Sequence, residues 1–286
     1  MEKVIAEIEK NKESKDGRSR IWWIGTGTAS SLPFHAAGEH SAGSTRNTFS
    51  HVISSYTPTI KTLGFARESF LKPVSMTPKL LLVAMRTTPG EEPLPGVSKE
   101  ISALDNVLAR RWSIQVEREP CSDTVLKGLY DCDVVHFACH GASDFRNPSN
   151  SHLILQKTES ELPQHVQDLL TVRQISEVDL KHPRIAYLSA CSTAENKVRH
   201  LADEVLHLAS GFQVAGFGHV IASMWPAGDE VCVKIAESFY EIVAGTWDQQ
   251  NFDESVAHAL HVSVERIRDV YRKQPLAWAQ FIHTGA

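Results

Sequence analysis

Short apolar runs alternate with helical patterns from residue 80 onward, and this alternation constrains the fold more than any other feature of the chain. Strand-like runs occupy residues 80–84, 113–116, 134–140, 185–189 and 220–225. Helical patterns follow them at residues 101–108, 123–130, 203–216, 229–243 and 253–270. Several of the strand-like runs are apolar on both faces, which is typical of a parallel sheet covered by helices. The sequence therefore predicts an α/β fold with a mostly parallel sheet and helices on both faces.

The remaining segments are shorter or less regular. Apolar residues within 2–20 predict a short amphipathic helix, and residues 21–24 predict a buried strand. A dinucleotide loop is not expected at the glycines of residues 25–27, because Pro33 follows before a phosphate-binding helix can begin. Residues 72–78 contain two prolines and predict a linker. A hairpin strand is predicted at 153–155 and a final strand at 278–282.

Two of the strand-like runs lead to reactive side chains. The run at 134–140 ends in His140, and the run at 185–189 leads into Cys191. The carboxyl ends of parallel strands meet at one edge of a sheet, where open α/β folds place their sites. An imidazole beside a thiol can take its proton, as in a cysteine protease. Cys191 follows His140 by 51 residues, close to the roughly 50 that separate the catalytic pair in caspases. The pattern predicts a caspase-like hydrolase.

Backbone groups near these two residues could form an oxyanion hole, which needs two N–H donors. Gly141 allows a sharp turn that brings its N–H close to a bound carbonyl, and the N–H of Cys191 is the natural second donor. Each side chain also has an ordinary interpretation when taken alone. His140 would then be a strand-end histidine, and Cys191 a small buried hydrophobe. Their joint spacing, with turn-forming residues after each, favours the catalytic pair.

Other reaction chemistries find little support. His136 and His140 have the spacing of a helical zinc pair, but residue 137 is Phe, and residues four apart on a strand lie ~13 Å from each other. We therefore expect no metal. Cys139 is interpreted as a core residue and His136 as a packed or hydrogen-bonded histidine. The chain has no Gly-x-Ser-x-Gly and no Gly-Lys-Ser/Thr motif, which removes support for serine and nucleotide hydrolases.

The composition argues against several further classes of protein. Among 286 residues, 42% are hydrophobic and 22% charged, which is enough for a buried core. A net charge of −5 gives no reason to expect nucleic-acid binding. No apolar run reaches the ~18 residues of a membrane span. The five cysteines show no disulfide framework, and the first residues are charged instead of forming a signal peptide. We expect a cytoplasmic protein that binds neither nucleic acid nor membrane.

Several motifs resemble those of the CHAT domain family, caspase-like peptidases related to separase and often attached to tetratricopeptide repeats. These motifs are LPFHAAG at 32–38, HFACHG at 136–141, YLSACSTA at 187–194, DE at 203–204, AGF at 215–217 and VIASMWP at 220–226. The resemblance implies a three-layer caspase-like fold with His140 as general base and Cys191 as nucleophile. It also implies an N-terminal accessory portion with its linker in residues 1–75 and a peptidase domain in residues 76–286.

The residues and the resemblance together predict a cysteine endopeptidase that cleaves proteins through a thioester and needs no cofactor. The resemblance implies that the chain is the effector part of a larger signalling protein. Its partners would be a protein substrate and an upstream repeat or regulatory domain. Two alternatives stay open. One is a non-catalytic caspase-like scaffold in signalling, and the other is a thiol-dependent acyltransferase or ligase, in which an amine captures the thioester.

Three acidic residues are candidates for substrate binding. Separase and related peptidases accept a basic residue before the cut bond, which requires a carboxylate in the pocket. Asp229 is the first candidate and Glu204 the second. Their alternative roles are at helix ends, Asp229 as an N-cap and Glu204 as an acid favoured by the helix dipole. Asp144 would either line the substrate groove or stabilise a turn. His35 is either a second base or part of a structural turn, and the turn is favoured.

Overall fold

A computed structural model describes residues 18–68, 75–142, 144, 147–159, 164–189, 201–225, 228–248 and 252–286. The side chains at 28, 31, 148 and 201–207 are not part of this description. The amphipathic helix predicted within residues 2–20 therefore falls almost wholly outside the described residues.

Eleven strands and nine α-helices lie in the described residues. The strands are β1 (Ser19–Trp23), β2 (Val52–Tyr56), β3 (Lys79–Ala84), β4 (Ser113–Arg118), β5 (Val134–Ala138), β6 (His140–Ala142), β7 (His152–Thr158), β8 (His165–Thr171), β9 (Ile185–Leu188), β10 (His219–Ser223) and β11 (Phe281–Gly285). The helices are α1 (Thr48–His51), α2 (Ile60–Glu68), α3 (Gly96–Leu108), α4 (Ser122–Leu129), α5 (Val172–Ser176), α6 (Leu201–Val214), α7 (Asp229–Thr246), α8 (Phe252–Val270) and α9 (Pro275–Trp278).

Eight of the strands form one central sheet in the order β1-β2-β11-β10-β9-β5-β3-β4. Every neighbouring pair is parallel except β10 and β11, which run antiparallel. The other three strands form a small antiparallel sheet in the order β6-β7-β8. The predicted mostly parallel sheet is confirmed.

Side chains alternate between two hydrophobic cores, one on each face of the central sheet. In β3, Leu81 and Val83 enter the first core, while Leu80 and Leu82 enter the second. Helices α4, α5 and α6 cover the first face, and α3, α7 and α8 cover the second. Burial of both strand faces is why these runs are apolar throughout. The three-layer arrangement is therefore confirmed.

Three strands differ from the sequence predictions. Residues 21–23 belong to β1, whereas Ile24 lies outside it, and β1 is half-buried instead of buried because it is an edge strand. The final strand is Phe281–Gly285 instead of 278–282, because Pro275–Trp278 forms α9. The sequence analysis did not predict β2, in which Ser54 and Ser55 interrupt the apolar pattern.

Strands from both sides of residue 75 contribute to the central sheet. β2 pairs with β11 at one register position, Thr284 opposite Tyr56, and β1 pairs with β2. The division into residues 1–75 and 76–286 stays a prediction. Every helix among the described residues is too short or too polar to span a membrane.

Candidate active site

His140 lies where the chain leaves the central sheet for the small one. β5 ends at Ala138, Cys139 follows, and His140 opens β6. Pairing of His140 with Ile154 and of Gly141 with Leu153 fixes this segment against β7. The predicted strand through residue 140 is therefore two strands with a change of direction between them. His140 is only 3% exposed, so its ring is held by the surrounding structure.

A backbone carbonyl fixes the orientation and tautomer of this imidazole. Nε2 of His140 lies 2.8 Å from the carbonyl oxygen of Glu92. Because a carbonyl oxygen only accepts hydrogen bonds, the neutral ring carries its proton on Nε2. The unprotonated nitrogen is then Nδ1, and a general base needs such a lone pair.

The loop that supplies the Glu92 carbonyl is itself held in place. The Leu94 amide donates to the Arg86 carbonyl at 2.9 Å, which closes the loop on itself. The Gln167 side chain, on β8, donates to the Pro89 carbonyl at 2.7 Å. The small sheet thus carries His140 and also tethers the loop that orients it.

The strand that leads to Cys191 lies directly beside β5. β9 pairs with β5 in parallel, with Leu188 opposite Phe137. Beyond the strand end, the Ser189 amide donates to the Phe137 carbonyl at 2.9 Å. The two strands therefore end at the same edge of the sheet, as the sequence analysis expected. Cys191 itself lies outside the described residues.

The structure describes one of the two residues predicted to form the oxyanion hole. Gly141 is buried within β6, one residue after His140. The second donor, the N–H of Cys191, lies outside the described residues. The oxyanion hole therefore stays a prediction.

Asp229 connects two helices on the same face of the sheet. It is the first residue of α7, and its Oδ2 accepts a hydrogen bond from the Gly96 amide at 2.8 Å. Gly96 is the first residue of α3, so the carboxylate satisfies a free N–H of a neighbouring helix. On α7 the N-cap position is taken by Gly228. Asp229 is exposed, and its role in a substrate pocket stays a prediction.

Of the other two acidic candidates, Glu204 and Asp144, the structure describes the side-chain contacts of Asp144 only. Glu204 lies in α6, but its side chain is outside the described residues. Asp144 accepts hydrogen bonds from the Asn147 amide at 3.0 Å and from the Asn150 side chain at 3.3 Å. Its own amide donates to Ser151 Oγ at 3.1 Å. These are the contacts of a turn residue, and its place in a substrate groove stays a prediction.

His35 has the environment of a structural residue. Its Nδ1 lies 2.7 Å from the Tyr56 hydroxyl, and the side chain is buried in the short 3₁₀ helix Phe34–Ala36. Burial lowers the pKa of His35 to about 4. Within the described part of the chain, no three His, Cys, Asp or Glu side chains are grouped closely enough to hold a metal ion.

The sequence matches the model of one protein family over its whole length. The CHAT domain model matches residues 1–286. The chain belongs to the CHAT domain family. None of the curated proteins compared with this CHAT domain matches it.

Solved structures with the same fold include known peptidases. The CHAT domain is similar to the Arg-specific cysteine proteinase gingipain R, with a TM-score of 0.61, 11% identity, and coverage of 100% of this chain and 67% of that one. RgpB of Porphyromonas gingivalis gives a TM-score of 0.60 at 9% identity, with 100% and 69% coverage. A chain of the Saccharomyces cerevisiae separase–securin complex gives 0.52 at 13% identity and 90% coverage. Only 15% of that separase-complex chain is covered. These similarities confirm the caspase-like fold.

The sequence analysis of this CHAT domain did not single out two groups that lie close to the candidate residues or to the strands that precede them. The Glu92 contact involves a backbone carbonyl, so no side-chain pattern could reveal it. Glu100 is only 4% exposed and contacts His136 on β5 and Ser189, the residue that directly follows β9. A signal for it does exist, because Glu100 precedes Leu104 and Leu108 at helical spacing and so falls on the apolar face of α3.

Proposed function

We propose that this CHAT domain is a cysteine endopeptidase in which His140 is the general base and Cys191 the nucleophile. The observation that carries the proposal is the hydrogen bond from His140 Nε2 to the Glu92 carbonyl, at the edge where β5 and β9 end together. On this assignment Nδ1 of His140 is the nitrogen that takes the thiol proton of Cys191, which follows the strand next to β5. Family membership and the fold support the same assignment.

The proposed reaction passes through a thioester. Nδ1 of His140 takes the thiol proton, and the thiolate of Cys191 attacks the substrate carbonyl carbon. The resulting oxyanion is stabilised by the N–H groups of Gly141 and Cys191. The imidazolium then gives its proton to the leaving amine as the peptide C–N bond breaks. Water, deprotonated by the same imidazole, hydrolyses the thioester and restores the thiol.

We further propose that the substrate is a protein cut after a basic residue, in the cytosol. Gingipain R, which shares the fold, is described as an Arg-specific cysteine proteinase. Asp229 is the described acid that we assign to the pocket, because it is exposed and follows β10. The CHAT domain would be the effector part of a larger signalling protein whose upstream repeat or regulatory domain controls it.

The proposal is tested with peptides prepared from a cell extract by a protease that cuts after Glu, so that internal Arg and Lys remain. The full chain is added, and new peptide ends are identified by mass spectrometry. We expect cleavage by the wild-type chain and by Cys121→Ser, which alters a half-buried thiol outside the site. Cys191→Ala and His140→Ala should each abolish it, and the double variant should be no worse than either.

Three outcomes would contradict the proposal. Cleavage that persists in Cys191→Ala would exclude Cys191 as nucleophile. Absence of cleavage by the wild-type chain, with signalling retained by Cys191→Ala, would favour the scaffold alternative. Joined peptides in place of cleaved ones would favour the ligase.

A further inference from the structure

Glu100 is an acidic residue in the hydrophobic core. It lies on α3 and is 4% exposed, and its helix neighbours Ile101 and Leu104 are core residues. A carboxyl group in such a place destabilises the fold unless polar groups compensate for the lost water. Its contacts therefore have to be specific.

One oxygen of Glu100, Oε1, contacts both β5 and the residue that directly follows β9. Ser189 Oγ donates to Oε1 at 2.7 Å, and Ser189 directly follows β9, two residues before Cys191. Nε2 of His136 lies 3.2 Å from the same oxygen, within ion-pair distance but without hydrogen-bond alignment. His136 belongs to β5, four residues before His140.

Aromatic side chains lie close to the His136 ring and to Glu100. Tyr187 stacks on His136 with ring centroids 4.8 Å apart, and the Tyr240 hydroxyl lies 3.2 Å from His136 Nδ1. Burial first, and the charge of Glu100 second, raise the pKa of both tyrosines well above the ordinary value. The Glu100 carboxyl group thus accepts a hydrogen bond from Ser189 and lies close enough to Tyr187 and Tyr240 to influence their ionisation.

The same short segment makes two further contacts at this edge of the sheet. The Glu92 carbonyl accepts from His140, and the Gly96 amide donates to Asp229. Residues 92–100 therefore contact the His140 ring, the start of α7 and the end of β9. A displacement of this segment would move all three.

We propose that Glu100 is a positioning residue that holds the residue after β9 against β5 through its contacts with Ser189 and His136, and that the reactivity of the Cys191 thiol depends on these contacts. This role rests on the proposed function. Glu100 acts through Ser189 and does not touch the substrate.

The test follows the alkylation of Cys191 by iodoacetamide, which needs no knowledge of the substrate. The rate constant is measured by mass spectrometry of the full chain between pH 5 and 10. In Glu100→Met, which removes the acceptor of the Ser189 hydroxyl, we expect the rate at pH 7 to fall about tenfold, with the pH midpoint rising toward the ~8.5 of an ordinary cysteine. Ser189→Ala should give the same change, and the double variant should be no worse than either single one.

Two matched variants control for general damage. Ser189→Thr keeps the hydroxyl donor and should retain the wild-type rate and midpoint. Glu237→Met makes the same chemical change at an exposed position of α7 and should have no effect. Thermal unfolding of every variant shows whether it folds. If Glu100→Met does not fold, the comparison of Ser189→Ala with Ser189→Thr decides alone.

The outcomes separate this inference from the proposed function. A wild-type Cys191 with the midpoint of an ordinary cysteine would contradict the catalytic pair, and the positioning role would fall with it. An activated wild-type thiol whose rate and midpoint are unchanged in Glu100→Met and Ser189→Ala would overturn the positioning role alone. Equal loss in Ser189→Ala and Ser189→Thr would also overturn it, because the hydroxyl would then not matter.

Discussion

At the scale of single residues, the chemistry of His140 depends on a group that does not titrate. The carbonyl of Glu92 accepts from Nε2 at any pH at which the protein is folded. The tautomer with a basic Nδ1 is therefore favoured whenever the ring is neutral. Many histidine bases are oriented by a carboxylate, whose own charge can change with pH.

The cysteines should differ strongly in their reaction with iodoacetamide. Burial first, and the charge of Asp133 second, raise the pKa of the Cys132 thiol to about 12. Cys139 is fully buried in the core beneath β5. Because only an accessible thiolate reacts, we expect Cys191 to be alkylated first at pH 7, ahead of the half-buried Cys121 and Cys232. Peptide mapping after brief exposure would measure the order. Faster labelling of either half-buried thiol would argue against an activated Cys191.

At the scale of secondary-structure elements, α3 depends on a carboxylate from α7. Asp229→Ala removes the acceptor of the Gly96 amide and should lower the free energy of unfolding by about 1 kcal/mol, as the loss of a helix cap does. Asp229→Asn keeps an acceptor oxygen but removes the charge. Urea unfolding and the peptide cleavage profile would be measured for both.

The two Asp229 variants separate a structural role from a role in specificity. If Asp229 also binds the basic residue of the substrate, Asp229→Asn should retain stability but lose cleavage after Arg and Lys. If Asp229→Asn leaves both stability and cleavage after Arg and Lys unchanged while Asp229→Ala lowers stability, Asp229 acts only on the Gly96 amide of α3. Glu230→Gln, at the neighbouring exposed position, is the matched control.

The loop that carries Glu92 depends on a glycine. Gly90 has φ +80°, and a Cβ there would meet the Gln167 side chain at 3.3 Å. Gly90→Ala should therefore lower the free energy of unfolding by about 1 kcal/mol. Gly64 lies inside α2 with open space around it. Gly64→Ala should have the opposite sign and raise the free energy of unfolding by up to about 1 kcal/mol. Urea unfolding of both variants checks the pair, and equal shifts would contradict the assignment.

The strands that the sequence predicts well are those whose hydrophobic residues reflect burial on both faces of the sheet. β3, β5, β9 and β10 are buried on both faces, so their composition alone identifies them. β2 escapes the same reasoning, because Ser55 faces polar partners that only the folded structure brings together, Arg20 and His283. For the candidate site, sequence predicts that His140 and Cys191 follow neighbouring strands. It cannot predict the Glu92 carbonyl, which reaches His140 through tertiary structure.

At the scale of the whole molecule, buried histidines link stability to pH. Burial lowers the pKa of His35 and of His219 to about 4. His283, which contacts His219, has its pKa lowered well below the ordinary value, mainly by burial. In the unfolded chain these rings titrate near 6.5. Between pH 6.5 and 4 the unfolded state therefore binds more protons, and stability falls as the pH falls.

The free energy of unfolding in urea should decrease between pH 7 and pH 5. Each ring with a folded pKa of about 4 should lower the free energy of unfolding by on the order of 2 kcal/mol at pH 5 relative to neutral pH. His219→Gln should flatten this dependence, whereas His165→Gln, at an exposed position, should leave it unchanged. A dependence as steep in His219→Gln as in the wild-type chain would contradict the assignment of this ring.

The position of β11 has a consequence for how the chain reaches its fold. This strand follows all the others in sequence but lies between β10 and β2. β2 and β1 can therefore join the sheet only after more than two hundred residues have been brought back to them, as the pairing of Thr284 with Tyr56 shows. Closing so long a loop costs conformational entropy before any contact compensates for it, and such topologies fold slowly. We therefore expect β1 and β2 to join the central sheet last during folding.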